Sequence, residues 1–308
     1  MIAAPAHGPV AARDHRFPQF RYGTSMGAAP VRHAFTVDVK DWHQGIPVAD
    51  DLRVSAEWRL KDSVQRLLEM LSEAGVRATF FWLGPAAERH PDLVKDTLAA
   101  GHEIGTHGWS HELLYLMDRD RFREETRRAM GVVEDITGLP VRAYRAAYFS
   151  ITDRSLWALD VLAELGFLHD SSIFPIRNWR YGIPGFDPSP HQVHTPGGAI
   201  CELPISVRDV GGRRIPVSGG AYFRIYPYAL TYRNFVEAER AARPVVFYLH
   251  PWELDPAHPR VRFQRRAHLT HYARLASTEP KLQRLLEDFS FGPLGEVLDT
   301  AIRRGGAA

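Results

Sequence analysis

Two histidines four residues apart, His107 and His111, are the side chains in this sequence best suited to chemistry. They lie in the run GHEIGTHGWSH, residues 101–111, and follow the predicted strand with which that run begins. Neutral imidazoles at positions i and i+4 lie on one face of a helical turn, so both can bind one divalent ion while a third ligand comes from elsewhere. A chain with fifteen histidines also contains this spacing by chance. No Glu follows His107, so the His-Glu-x-x-His signature is absent and a hydrolytic base must come from another segment.

Other polar side chains stand at the carboxyl ends of the predicted strands. In parallel α/β folds these ends meet at one edge, where active sites are built. Because several segments agree, the pattern indicates a catalytic site. Besides the two histidines, the residues concerned are Asp38 and Asp41 after the first strand, Arg145 after the fourth, Asp170 after the fifth and His250 after the last.

The composition is that of an ordinary globular protein, with 45% hydrophobic and 24% charged residues over 308 positions. The formal charge of +2 and the dispersed basic residues argue against nucleic acid as a partner. Cys201 is the single cysteine, which excludes an intramolecular disulfide and a thiolate metal cluster. No run approaches a membrane span and the first residues do not resemble a signal peptide, so we expect a cytoplasmic protein without a membrane span.

Short β-rich runs alternate with amphipathic stretches that end at a glycine, from Ala34 to about residue 172. This alternation predicts parallel strands joined by helices, in either an open doubly wound sheet or a barrel. Residues 173–225 are rich in Pro, Gly, Arg and aromatic residues and predict long loops, with ELPIS as the one predicted strand. Residues 1–30 predict a loosely ordered or surface-packed arm, and residues 31–308 predict one domain that includes a C-terminal extension.

The chain resembles the polysaccharide deacetylases of the NodB-type fold, carbohydrate esterase family four, from about Phe35 to its C-terminus. The resemblance rests on five short motifs in family order and on SGGAYFRIYP: TVDVKDW, THGWSH, YRAAYFS, HDSSIFP and YLHPWE. It is greatest with the subgroup of exopolysaccharide loci that carries an extra C-terminal segment. The resemblance implies an α/β fold, a distorted (β/α)7-8 barrel, and metal-assisted removal of acetyl groups from N-acetylated sugars.

The same resemblance implies roles for individual residues. His107 and His111 would bind the metal ion, which we expect to be zinc, with cobalt and nickel as alternatives. Asp38 would be the general base, with Arg145 holding it, and His250 would be the acid that protonates the leaving amine. Asp170 would orient His250, unless it only caps the turn that follows. A backbone N–H near Tyr148 would stabilise the oxyanion, and Trp179, Tyr222 and Trp252 are candidates for stacking against sugar rings.

The first motif departs from the family pattern at Lys40. Relatives usually carry a second carboxylate there, as in Asp-Val-Glu-Asp, and it completes the metal site. An ammonium cannot ligate a cation, and strand alternation puts positions 38 and 40 on the same side. Three interpretations follow. The third metal ligand is Asp41, or it is His43. Otherwise the metal ion is bound weakly or is missing, and Lys40 neutralises Asp38 or binds an anionic ligand.

Three functions remain open at this stage. The first is a metal-dependent hydrolase that removes the N-acetyl group of an amino sugar in a glycan or glycan precursor. The second keeps this chemistry but acts on a small non-sugar amide, for which the loops from Arg177 to Arg224 would suit a carboxylated or phosphorylated ligand. The third is a catalytically silent carbohydrate-binding protein.

Overall fold

A parallel β-sheet forms the centre of the protein, whose computed structural model describes residues 31–46, 56–178 and 180–305. The strands are β1 (His33–Val39), β2 (Thr79–Trp82), β3 (Glu103–Thr106), β4 (Ala143–Tyr144), β5 (His169–Asp170), β6 (His191–Thr195), β7 (Gly198–Glu202), β8 (Val207–Val210), β9 (Arg213–Pro216), β10 (Val246–Leu249) and β11 (Phe291–Gly292). Nine of them form one sheet in the order β10-β1-β2-β3-β4-β5-β7-β6, with β11 also paired to β1. The α/β prediction is confirmed, and the distorted barrel is a curled half-barrel sheet.

Strand register brings the predicted site residues to one edge. From β10 to β7 every neighbouring pair is parallel, and within this nine-stranded sheet only β6 runs antiparallel to its partner. Val37 pairs with Leu249 and Val39 with Trp82, so the carboxyl ends of β10, β1 and β2 are level. These three strands are buried on both faces, as expected for a parallel sheet covered by helices.

Helices cover the sheet and hold the strands in register. They are α1 (Leu60–Glu73), α2 (Gly84–Arg89), α3 (Pro91–Ala99), α4 (Arg119–Thr137), α5 (Trp157–Glu164), α6 (Gly220–Ile225), α7 (Tyr228–Arg240), α8 (Arg265–Tyr272), α9 (Thr278–Asp288) and α10 (Leu294–Gly305). Val64, Leu67 and Leu71 recur at helical spacing in the sequence and form the buried apolar face of α1. Gly138 ends α4 in the left-handed conformation, with φ 69°, as its sequence position predicts. No helix among the described residues is long and apolar enough to span a membrane.

The expectation of long loops is wrong. The stretch predicted to be loops contains two antiparallel hairpins, β6–β7 and β8–β9, as well as α6, and the ELPIS run forms β7 only at its first residue. A separate short helix, α2, precedes α3. Thr152 and Asp153, residue types that often cap helices, precede α5 in the sequence and predict a cap there. This prediction is wrong, because the N-cap residue of α5 is Leu156 and no side chain bonds there. The predicted arm, residues 1–30, lies outside the described residues.

Candidate functional site

Asp38 and Arg145 form a buried ion pair at the centre of the carboxyl edge. Asp38 lies near the end of β1 and Arg145 directly follows β4. An Nη1–H of Arg145 donates to Oδ1 of Asp38 at 3.0 Å, and both side chains are almost fully buried. Burial alone would raise the pKa of the Asp38 carboxyl, but the charges of Arg145, His107 and Lys40 hold the pKa well below its usual range. Asp38 is therefore ionised at neutral pH.

The Arg145 guanidinium also ties three strands together. It donates to the hydroxyl oxygen of Thr36 on β1 at 2.6 Å, and to the carbonyl and hydroxyl oxygens of Ser171, after β5, at 2.9 Å each. The carbonyl of Arg145 accepts a hydrogen bond from Nδ1 of His107, after β3, at 2.8 Å. A planar guanidinium suits this task because its donors point in fixed directions. Arg145 thus fixes the positions of both Asp38 and His107.

His250 approaches Asp38 from the other side and is oriented by Glu253. Its Nε2 lies 3.8 Å from Oδ2 of Asp38, while Nδ1 donates to Oε1 of Glu253 at 2.7 Å. The second carboxylate oxygen of Glu253 accepts from Nε of Arg224 at 2.5 Å. Burial alone would raise the pKa of Glu253, but Arg224 and His250 lower it to about 2. Burial and the charge of Lys40 lower the pKa of His250, so His250 is neutral at rest with its proton on Nδ1.

The prediction that Asp170 orients His250 is wrong. The Asp170 carboxylate accepts hydrogen bonds from the backbone N–H of Ser172 at 3.1 Å and from its hydroxyl at 2.6 Å. It also faces Glu202, and burial raises the pKa of both carboxyls, that of Glu202 well above its usual range. Two carboxyls this close share a proton rather than both ionising. Asp170 therefore braces the turn after β5.

Lys40 contacts the nitrogen of His107 that a metal ion would need. Because the Arg145 carbonyl can only accept, the His107 proton is on Nδ1 and the lone pair is on Nε2. The Nζ of Lys40 lies 3.3 Å from this Nε2 and donates to it. Lys40 is 4% exposed, and burial lowers its pKa to about 8 against the opposing effect of Asp38. The ammonium form therefore predominates at neutral pH.

His111 lies beside this pair and leaves polar atoms without partners. Its ring is 5.1 Å from that of His107 and 4.5 Å from that of Tyr148, between centroids. Neither ring nitrogen has a hydrogen-bond partner among the described residues, although both are buried. Burial lowers its pKa well below the usual value, so the imidazole is neutral. A buried imidazole of this kind can accept a hydrogen bond from a ligand, a water molecule or a cationic donor.

Asp41, predicted as the third metal ligand, is used elsewhere. Its Oδ1 accepts from the backbone N–H of Trp42 at 2.7 Å, and its Oδ2 accepts from those of Arg59 and Leu60 at 2.7 and 2.9 Å. Asp41 therefore caps the start of α1. The alternative ligand, His43, packs edge-on against Trp42 with ring centroids 5.5 Å apart.

The described residues do not fit a divalent metal ion. Within residues 31–46, 56–178 and 180–305, no three His, Cys, Asp or Glu side chains are grouped so that they could hold one. The two imidazoles of the expected triad are adjacent, but the carboxylate expected as the third ligand is bonded elsewhere, and an ammonium contacts the free nitrogen of His107. An ammonium has no lone pair and repels a metal cation at this range. The expected ligand set of Asp41, His107 and His111 is therefore not formed.

The aromatic residues predicted to stack against sugar rings have different surroundings. Trp252 is 8% exposed and stacks with two imidazoles, that of His250 at 5.2 Å and that of His271 at 4.1 Å between centroids, so it is not a sugar platform. Tyr222 is half-buried, with its hydroxyl 3.2 Å from that of Tyr181. Trp179 lies outside the described residues.

Tyr148 is the aromatic residue that lies directly at the site. Its backbone has φ 56°, in the left-handed region, which turns the chain sharply after β4. One side of its ring contacts His111, and the guanidinium of Arg180 lies 3.8 Å from the ring centroid. The sequence reasoning missed Arg180 and Glu253. The spacing His250-Pro-Trp-Glu253 could have identified the latter, because a residue three positions on returns to the start of a helical turn.

Comparison with known proteins identifies two matching families. Residues 50–167 match the sequence profile described as Polysaccharide deacetylase, and residues 171–299 match one described as Domain of unknown function (DUF3473). The chain is 32% identical over 96 residues to a peptidoglycan-N-acetylglucosamine deacetylase of Bacillus cereus, covering 31% of this chain and 35% of that protein. It is 30% identical over 88 residues to chitin deacetylase 1 of Cryptococcus neoformans, covering 29% and 19%. The chain thus spans about a third or less of the length of these two curated relatives.

Two solved structures share the fold over most of both chains. A provisionally named polysaccharide deacetylase from Mycobacterium smegmatis aligns with a TM-score of 0.60 and 22% identity, covering 91% of this chain and 95% of that one. A similarly named protein from Pseudomonas aeruginosa aligns with a TM-score of 0.55 and 16% identity, covering 87% and 90%. Similarity at this level identifies the fold alone.

Proposed function

We propose that this chain hydrolyses the N-acetyl amide of an amino sugar in a glycan or a glycan precursor, because residues 50–167 match the polysaccharide deacetylase family. The observation that carries the proposal is the position of Asp38. One carboxylate oxygen of Asp38 is held by Arg145 at 3.0 Å, and the other faces Nε2 of His250 at 3.8 Å. Amide hydrolysis needs such a pair, one group to take a proton from water and another to give one to the departing amine.

The protons can be followed through the site. Water attacks the acetyl carbonyl carbon and gives a proton to Asp38, which is ionised at rest. Since His250 starts neutral, it gains this proton at Nε2 from the adjacent carboxyl and then donates it to the sugar nitrogen as the C–N bond breaks. Acetic acid and the free amine leave, the acid passes its remaining proton to the amine or to solvent, and the starting protonation state of the site returns. Glu253 stabilises the imidazolium that forms in between, because its carboxylate accepts the Nδ1–H.

Acetate release is the direct test. The purified protein is incubated with N-acetylglucosamine oligomers, with peptidoglycan fragments and with small non-sugar amides, and acetate is measured with a coupled assay. We expect release from the acetylated sugars, and a decrease of about 10²- to 10⁴-fold in Asp38→Asn and in His250→Asn. Two exposed residues provide matched controls, Asp299→Asn and His194→Asn, which should retain full activity.

The outcomes separate the three functions. Release from small amides alone would contradict the sugar substrate but keep the chemistry. Lys40 favours a second candidate, a glycan-binding protein without hydrolysis, because it stands where a metal ligand is expected. Tight binding of acetylated oligomers with no acetate released by the parent protein would support that candidate and contradict deacetylation.

A further inference from the structure

We propose that the Lys40 ammonium takes the place of the divalent ion implied by the family resemblance, so that this site carries its cation within the chain. Lys40 directly follows β1, and its side chain reaches the imidazole of His107 across the sheet edge. Gly45 leaves room for it, because a Cβ at that position would lie 3.1 Å from Cε of Lys40. The lysine is therefore packed into the site and is not an exposed charge near it.

The ammonium and a metal ion compete for the same lone pair. The Nδ1–H of His107 is fixed by the Arg145 carbonyl, which leaves Nε2 as the single acceptor of that ring. In metal sites this arrangement holds the imidazole ready to ligate. Here the Nε2 lone pair accepts a hydrogen bond from Lys40 instead.

The charges at the site lead to the same conclusion. Asp38 carries one negative charge and Arg145 and Lys40 carry two positive charges, while Glu253 is compensated by its own ion pair with Arg224. The sum for the first three is one positive charge. A divalent ion held by a carboxylate at position 40 would give the same sum with Asp38 and Arg145. One ammonium therefore replaces a metal ion and its carboxylate without changing the net charge, whereas a divalent ion added beside Lys40 would raise the sum to three.

The ammonium hydrogens of Lys40 that His107 does not accept are available to bind a ligand. An ammonium has three donors, and His107 accepts one of them. Neutral His111 has one acceptor nitrogen, and neither of its buried ring nitrogens has a hydrogen-bond partner among the described residues, so it can accept a second hydrogen from Lys40. This leaves a donor for the oxygen of a bound acetyl group, where negative charge develops during amide hydrolysis. That last step rests on the proposed function, while the replacement of the metal does not.

Zinc binding tests the replacement without any assay of activity. Apo-protein is titrated with zinc by calorimetry, and bound zinc is counted after gel filtration. We expect less than about a tenth of an equivalent in the parent, and about one equivalent in Lys40→Glu, where two imidazoles and a carboxylate come together. Lys40→Met removes the ammonium without adding a ligand and should bind zinc at least about tenfold more weakly than Lys40→Glu. The control Lys61→Glu makes the same charge change on the surface of α1 and should bind no more zinc than the parent.

One equivalent of zinc bound by the parent protein would overturn the proposal, whether or not the variants fold. Equal affinity of Lys40→Met and Lys40→Glu would overturn it too, since position 40 would then not be a ligand site. Adding His107→Asn to Lys40→Glu should abolish the gained zinc, and retention would place that zinc elsewhere. Where acetate release is found, a chelator should leave the rate of the parent unchanged. Absence of acetate release with no zinc bound would contradict the proposed function alone.

Discussion

Replacing Glu253 by glutamine separates two tasks of one buried carboxylate. Its oxygens accept three hydrogen bonds, from the backbone N–H and Nδ1 of His250 at 3.0 and 2.7 Å and from Nε of Arg224 at 2.5 Å. An amide has a single acceptor oxygen. If that oxygen faces Arg224, the amide NH₂ faces two donors of His250; if it faces His250, the NH₂ faces a guanidinium that is 1% exposed. No orientation of the amide satisfies all three bonds.

The expected loss of stability is large because the guanidinium cannot reach solvent. Breaking a buried ion pair by removing one charge costs about 3–5 kcal/mol, compared with about 1 kcal/mol or less for an exposed pair. Glu279→Gln is the matched control, because Glu279 pairs with Arg66 at 2.5 Å but both side chains are more than a third exposed. Urea denaturation with linear extrapolation measures both variants. A loss below about 1 kcal/mol in Glu253→Gln would refute the role of burial in this reasoning.

The same variant tests whether Glu253 positions His250. Without a carboxylate at Nδ1, the imidazole can carry its proton on Nε2, and its protonated form is no longer stabilised. We expect acetate release to fall by about 10²- to 10⁴-fold, mainly in kcat. Nitrogen chemical shifts of His250 should change from the Nδ1–H to the Nε2–H tautomer, a change that lower stability alone would not cause. A folded variant with unchanged tautomer and activity within about threefold would refute the positioning role.

Three further predictions concern the scaffold. Arg145→Lys keeps the charge but cannot reproduce the fixed fork of donors, so the free energy of unfolding measured in urea should fall by about 1–3 kcal/mol. An unchanged free energy would contradict the role of Arg145 in holding the strands together. Burial lowers the pKa of His102 to about 4, whereas a histidine in the unfolded chain has a pKa of about 6.5. Between about pH 6.5 and pH 4 the unfolded state therefore binds more protons than the folded state, and the free energy of unfolding falls as the pH drops through this range. In urea titrations at pH 7, 6, 5 and 4, His102→Gln should lose less stability than the parent, and equal slopes would refute this. Gly105→Ala would place a Cβ 2.7 Å from the Ala143 carbonyl oxygen and should cost about 1–3 kcal/mol in thermal melts, whereas Gly131→Ala, with nothing within 4 Å, should be neutral or stabilising.

Strand ends were predictable from the sequence because they obey a general rule. Asp38, Arg145 and His250 follow or end apolar runs, and parallel register brings such ends together whatever the helices between them do. The orientation of a side chain after a strand does not obey this rule. Asp41 illustrates the difference, since its carboxylate caps α1 through Arg59 and Leu60, 18 and 19 residues away. A bond over that separation leaves no local spacing signal.

The missed hairpin had a signal that composition obscured. Residues 191–202 read HQVHTPGGAICE, in which two runs of alternating burial flank Pro196-Gly197. A two-residue turn between alternating runs is the ordinary signature of a hairpin. Histidine and glutamine in place of β-branched residues on β6 concealed it, because that strand lies at the sheet edge and is only half-buried. Edge strands tolerate this composition because one side of their backbone has no neighbouring strand and faces away from the sheet.

The architecture explains how the site can lose a metal ion and keep its geometry. In a site organised by a metal, the ion itself fixes the relative positions of its ligands. Here Arg145 does so through hydrogen bonds to Asp38, to Thr36 and Ser171, and to His107 through its carbonyl. These bonds join β1, β3, β4 and the turn after β5 with no contribution from position 40. A substitution there can therefore exchange one cation for another while the base and its histidine partner stay where the sheet edge places them.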